Sequence, residues 1–226
     1  MRPTRLLRVR AGFCCSAMAM AYAIPPAFLA LESRGTAVAD PTSQLLSIVP
    51  TASTCGGAPI PSECATAAEA VGPIISSFAN YSILTAPEQA ALLSWMAYES
   101  AEFKYNQNHF PAPGTPGQGT RNMMSPSFVQ EYASSIPELA GQVAGKDPVD
   151  VLKLVQPDQY SFATAAWFYS THCDAEVKQG VQAQGQAGWE AFITQCVGTT
   201  VDEGTGSTSR TAYWQRACQA LGVATS

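Results

Sequence analysis

Histidine is nearly missing from this chain, and carboxylates outnumber the basic side chains. Two His and 12 Lys plus Arg stand against 17 Asp plus Glu over 226 residues. Phosphate recognition needs clustered cations, so this balance excludes nucleic acid as a partner. His109 and His172 have no metal-ligand pattern around them, and no Cys-x-x-Cys pair occurs. No metal site or cofactor is therefore expected. No Gly-x-Ser-x-Gly elbow is present and neither His has a serine partner, which argues against a nucleophilic serine. Heptads and internal repeats are missing as well, excluding a coiled coil or a solenoid.

What is present fits one compact domain behind a leader. Apolar residues make up 46% of the chain, enough for a sizeable core. Arg2, Arg5, Arg8 and Arg10 form a basic head, and a mostly apolar run follows from Ala11 to Ala30, broken by Pro25 and Pro26. Ala37-Val38-Ala39 then supplies small residues before Asp40, the pattern of a secretory leader over 1–39. A second cleavage point lies near Ala30. The single domain is expected over 40–226, secreted, monomeric and without stable membrane insertion once the leader is removed. Cleavage at Ala39 takes five basic residues and Glu32, moving the formal net charge from −5 to −9.

Secretion turns the cysteines into disulfide candidates. Cys14 and Cys15 leave with the leader, and five remain, so one must stay single. Cys55 with Cys64 spans a Gly/Pro-rich loop. Cys173 with Cys196 is the favoured second pair, leaving Cys218 buried and free, with Cys196–Cys218 as the alternative. Asn80-Tyr81-Ser82 is a glycosylation sequon.

Along the chain, residues 40–62 are expected to form an extended strap, and 63–79 a first helix that Gly72-Pro73 divides or bends. Thr85 with Glu88 three positions on is a capping box, with Pro87 in the first turn of a helix over about 86–104. The stretch from Lys104 to Phe128 is Gly- and Pro-rich, an irregular excursion with room for a small β-hairpin. Further helices are expected over 126–135, 137–144, from Asp147 to Val155, and over 159–172. A helix-compatible segment over 174–195 should break near Gly185, and a last helix should be capped by Ser209. The expected class is mainly α.

The chemistry centres on Glu99. Leu92, Trp95, Met96, Glu99 and Phe103 share one helical face, so a carboxylate is aimed at the core side. Burial penalises its charged form, as suits a general acid that protonates a leaving oxygen. Glu102, at the edge of that face, is the second catalytic candidate. In the excursion, Gln118, Thr120, Arg121 and Asn122 concentrate hydrogen-bonding groups beside glycines that let backbone approach a ligand. Tyr98, Tyr105 and Trp95 offer stacking or packing faces for a sugar, and Asp158 and Tyr160 are candidates for the same cleft.

Tyr98-Glu99-Ser100, the run from Gly117 to Pro126, and Ala163 to Tyr169 together resemble the lysozyme-like superfamily. Their order is similar to that in lytic transglycosylases, goose-type lysozymes and plant-type chitinases, as in a divergent secreted fungal branch. The resemblance implies a helical domain with a long polar loop, Glu99 as catalytic acid, Ser100 as its structural neighbour, and Gln118 and Asn122 touching substrate or orienting the acid. It implies cleavage of β-1,4 bonds in an N-acetylated polysaccharide, peptidoglycan or chitin. A non-catalytic carbohydrate-binding or effector-like protein on the same scaffold is the alternative. An inverting hydrolase needs a second carboxylate about 6.5–9.5 Å from the first, and plant-type chitinases carry theirs in the excursion. Here no Asp or Glu occurs between Phe103 and Gln130. That leaves Glu102, a distant Glu131, Asp158 or Asp202, or a mechanism with one acid.

Overall fold

A computed structural model describes residues 40–201 and 204–226; the expected leader over 1–39, with Cys14 and Cys15, and Asp202 lie outside the described residues. The protein is mainly α, as expected, and extended pairing among the described residues is confined to the bridges Gln107–Gly119 and Gly119–Met124. The excursion has therefore no regular hairpin.

The N-terminal strap is not extended throughout. It opens with helix α1 (Pro41–Ile48), followed by a 3-10 turn over Pro50–Ser53. Asp40 caps α1 by accepting from the Thr42 and Ser43 amides, and Pro41 occupies a first-turn position that needs no N–H. Leu45 and Ile48 are buried, so a short amphipathic pattern outweighed the Pro/Gly content of the whole segment.

Helix α2 (Ala67–Asn80) runs through Pro73 without division, held at its start by a Thr66–Glu69 capping box. Helix α3 (Ala86–Glu99) has the predicted Thr85–Glu88 box but ends five residues before the expected limit, at Glu99. Every residue from Glu88 to Ala97 is buried, so α3 is surrounded on all sides rather than presenting one stripe. Ala90, Ala91 and Ala97 keep its girth small enough for neighbours on every face.

In chain order there follow α4 (Pro126–Ser135), α5 (Pro137–Val143), α6 (Pro148–Val155), α7 (Asp158–Ser161) and α8 (Thr164–His172). The expected helix over 159–172 is thus two helices. Next comes α9 (Ala175–Ala183); the helix breaks at Gln184–Gly185, near the expected point, and resumes as α10 (Gly185–Ala191) and a π-helical turn over Phe192–Val197. The last helix, α11 (Arg210–Leu221), is capped by Ser209 and stopped by Gly222 in the left-handed region, and packs along α3.

Two disulfides join Cys55 to Cys64 and Cys173 to Cys196, and Cys218 is buried and free. No helix among the described residues is long and apolar enough to cross a membrane.

Candidate functional site

The end of α3 is built to hold Glu99 at a helix terminus. The Ser100 hydroxyl donates to the Met96 carbonyl at 2.6 Å and accepts from the Phe103 amide at 3.0 Å, closing the helix one residue after Glu99. Ala101, Glu102 and Phe103 then turn the chain with φ of 49, 56 and 66°. Left-handed backbone costs a non-glycine residue of order 1–3 kcal/mol, so this turn needs anchors. Phe103 is fully buried, and Glu102 provides the second anchor.

Both carboxylate oxygens of Glu102 are engaged. One accepts from the Thr51 amide and hydroxyl, each at 2.7 Å, and the other from the Tyr213 hydroxyl at 3.0 Å. The residue is only 7% exposed. Glu102, the second catalytic candidate, does not line the cavity described below; its carboxylate ties the strap and α11 to the turn after Glu99.

Glu99 faces another partner on α11. Arg210 Nη1 donates to Glu99 Oε1 at 2.7 Å; the arginine side chain is 3% exposed and the glutamate side chain 21%. The guanidinium lies 4.0 Å from the centroid of the Tyr98 ring, which supports it from its other side. Tyr98 thus backs Arg210, and it does not line the cavity described next. Charge pairing acts on Glu99 in the opposite sense to burial, so the sequence-based picture of an acid in purely apolar surroundings is incomplete.

A cavity of about 380 Å³ opens beside this pair. Glu99 and Arg210 meet Gln118 and Asn122 of the excursion there, with Thr199 following the π-helical turn. Trp95, Phe128 and Phe168 are among its apolar residues. Glu99 is the one carboxylate among the described residues that line it. Gln118 is held by donation from Nε2 to the Met123 carbonyl at 3.1 Å. Asn122 Oδ1 accepts from the Thr120 hydroxyl at 2.9 Å, while Asn122 Nδ2 and Trp95 Nε1 have no protein acceptor. Both unpaired nitrogens are buried beneath the cavity surface.

Several other predicted residues serve the scaffold. Arg121 is 1% exposed and donates to the carbonyls of Glu63, Phe103 and Tyr105 at 2.8–3.1 Å and to Asp158 at 3.0 Å. Burial pulls its guanidinium below the ordinary arginine range, with Asp158 opposing that shift. Asp158 is accordingly an anchor for the excursion and does not line the cavity. Ser100 and Thr120 are fully buried, and Tyr105 turns toward His109 and Phe110. Tyr160 lines a different groove, and Glu131 pairs with His172 at 3.3 Å. The glycines of the excursion also have a protein-internal cause. A Cβ on Gly117 would lie 2.4 Å from Pro148, and one on Gly119 would lie 2.6 Å from the Asn106 carbonyl. They let the loop sit on α6.

Arg210 and Thr199 were not foreseen. The Ser209 cap signal put Arg210 in the first turn of α11, but nothing local pairs it with Glu99, 111 residues earlier.

The comparisons agree on a fold. A bacterial family 19 chitinase superposes with TM-score 0.52 at 17% identity, covering 81% of this chain and 95% of that one. Chitinase C from Streptomyces griseus HUT6037 gives TM-score 0.51 at 14% identity, over 85% of this chain and 81% of its own. The protein therefore has the helical, lysozyme-like fold of the family 19 chitinases. In sequence, it is 40% identical over 159 residues to a bifunctional dioxygenase–epoxy alcohol synthase of Fusarium oxysporum (strain Fo5176). That match covers 66% of this chain, which spans 12% of the length of that relative. No protein-family model matches.

Proposed function

We propose that this protein is a secreted glycoside-cleaving enzyme acting on β-1,4-linked N-acetylated glycans, with chitin or its oligomers as the substrate class. The observation that carries this is the shared cavity: Glu99, Gln118 and Asn122, from two separate segments, meet at one opening. Its chitinase-like scaffold supports the same choice. A strongly acidic chain is poorly suited to anionic bacterial walls, which weighs against peptidoglycan.

In this mechanism Glu99 delivers a proton to the scissile glycosidic oxygen. Arg210 fixes the carboxylate's orientation from the α11 side, and a sugar filling the cavity displaces water from the pair. Gln118 and Asn122, which line the cavity beside Glu99, orient the sugar. Glu99 being the one carboxylate among the described lining residues, the substrate's own acetamido oxygen attacks the anomeric carbon as the glycosidic bond breaks. Water then opens the resulting oxazolinium ion, and its proton passes to the Glu99 carboxylate, restoring the acid. A 1,6-anhydro product marks the competing course, in which the sugar's 6-hydroxyl attacks instead.

The Glu99–Arg210 ion pair also favours a second reading, a carbohydrate-binding protein whose glutamate is held for structure. One experiment separates the two. Secreted wild type and Glu99→Gln are incubated with labelled chitin oligomers, and products are identified by mass spectrometry. The acid role predicts a fall in turnover of about 10²–10⁴-fold, with oligomer binding retained. Equal activity in both proteins removes Glu99 from that role. Binding without turnover in the wild type selects the second reading.

A further inference from the structure

A second and larger opening lies away from Glu99. It measures about 590 Å³ and is bounded on one side by α2 and on the other by the α4–α5 junction and α7. Its α2 wall is made by Gly72, Pro73, Ser76 and Asn80. These positions follow one face of the helix, and at 1.5 Å per residue they form a track roughly 12 Å long. Nothing lies within 4 Å of a Cβ placed on Gly72, so the far end of the track is open. The opposite wall includes Ile136, Pro137, Gln159 and Tyr160, and Tyr81 closes the end next to Asn80. Flat apolar faces beside amide and hydroxyl groups are the mixture that a pyranose, apolar on its face and polar at its rim, packs against.

Asn80 is exposed at the last position of α2, and its sequon is completed by Tyr81 and Ser82. An attachment point at one end of a groove gives anything joined there a high effective concentration within it. We infer that Asn80 carries an N-linked glycan whose first two N-acetylglucosamine residues lie in this groove, along α2 toward Gly72. The occupant is thus covalently supplied by the protein's own modification rather than captured from solution. The track is long enough for that disaccharide, and the branched part of the glycan then leaves at the open end. This inference is independent of the role of Glu99.

The test uses the full chain expressed in a filamentous-fungal secretory host. Glycopeptide mapping is expected to find Asn80 occupied, and Ser82→Ala to lose that glycan. Endoglycosidase release from native protein should be about tenfold slower than from denatured protein, the factor that roughly 1.4 kcal/mol of docking supplies. Ser76→Trp, at an exposed helix position, places a large ring in the track. It should raise native release toward the denatured rate while leaving Asn80 modified. An unmodified Asn80, equal release from native and denatured protein, or protection unchanged in Ser76→Trp each overturns the proposal. Free chitobiose protecting the Ser82→Ala protein from proteolysis, with Asn80 unmodified in the wild type, would instead make the groove a site for exogenous sugar.

Discussion

Arg210 is the residue on which the geometry of the candidate acid depends. Its guanidinium bonds Glu99 from one side and rests on Tyr98 from the other. Arg210→Lys keeps the charge but loses the planar fork and the stacked face, so turnover should fall with little loss of fold. Arg210→Met leaves Glu99 without this partner and should cost about 1.5–3 kcal/mol, the range for hydrogen bonds to charged groups. Urea unfolding and product assays on the two variants separate positioning from stability. Cys218 gives a residue-scale pH prediction. Burial pushes its thiol from 9.0 up to about 12, so the folded protein holds a proton that the unfolded chain releases. Stability should therefore fall as pH rises from about 9 toward about 12. The Tyr213 hydroxyl, raised from 10.0 to about 12 by burial and then by Glu102, adds its share from pH 10 upward. Cys218→Ala should flatten the pH 9–10 part of the curve, measured by urea unfolding against pH.

At the scale of elements, the end of α3 is held from two directions. At its start, Glu88 closes the capping box through Oε2, and its Oε1 accepts from the Tyr169 hydroxyl at 3.2 Å and from Gln182 at 2.8 Å. Thr85→Ala removes the cap alone and should cost about 1 kcal/mol. Glu88→Ala also removes the acceptor shared by the Tyr169 hydroxyl and Gln182, leaving that hydroxyl only the 3.5 Å contact to the Lys178 carbonyl, and should cost more, by about 1–3 kcal/mol. Comparing their thermal unfolding checks that order. The Thr85–Glu88 box could be read locally because its partners are three residues apart. The far contacts of Glu88, reaching α8 and α9, have no such local mark. The strap illustrates the reverse difficulty. Pro and Gly content over 40–62 implies extension, yet Asp40 and Pro41 start a helix whose Leu45 and Ile48 find the core.

For the whole molecule, the Cys173–Cys196 bond joins the end of α8 to the π-helical turn that precedes Thr199. Phe168, Val197 and Thr199 all line the Glu99 cavity, so the crosslink braces one wall of it. Replacing both cysteines by alanine should cost about 2–4 kcal/mol in stability. It should also lower turnover more at assay temperatures near the unfolding midpoint than well below it. Cys55–Cys64 lies at the other end of the excursion's supports, next to Glu63, whose carbonyl accepts from Arg121.

The sequence by itself determined the helical class, the caps of α3 and α11, the favoured disulfide pairs and the approach of Glu99 to a helix end. Each follows from neighbours in the chain or from the periodicity of one element. Only the tertiary structure decided what Glu99 meets. It brought Arg210 across 111 positions, turned Glu102 into an anchor, and used Arg121 and the excursion glycines to pack the loop. Burial and charge pairing depend on every element around a side chain, and helical phase specifies only the direction in which that side chain leaves its own helix.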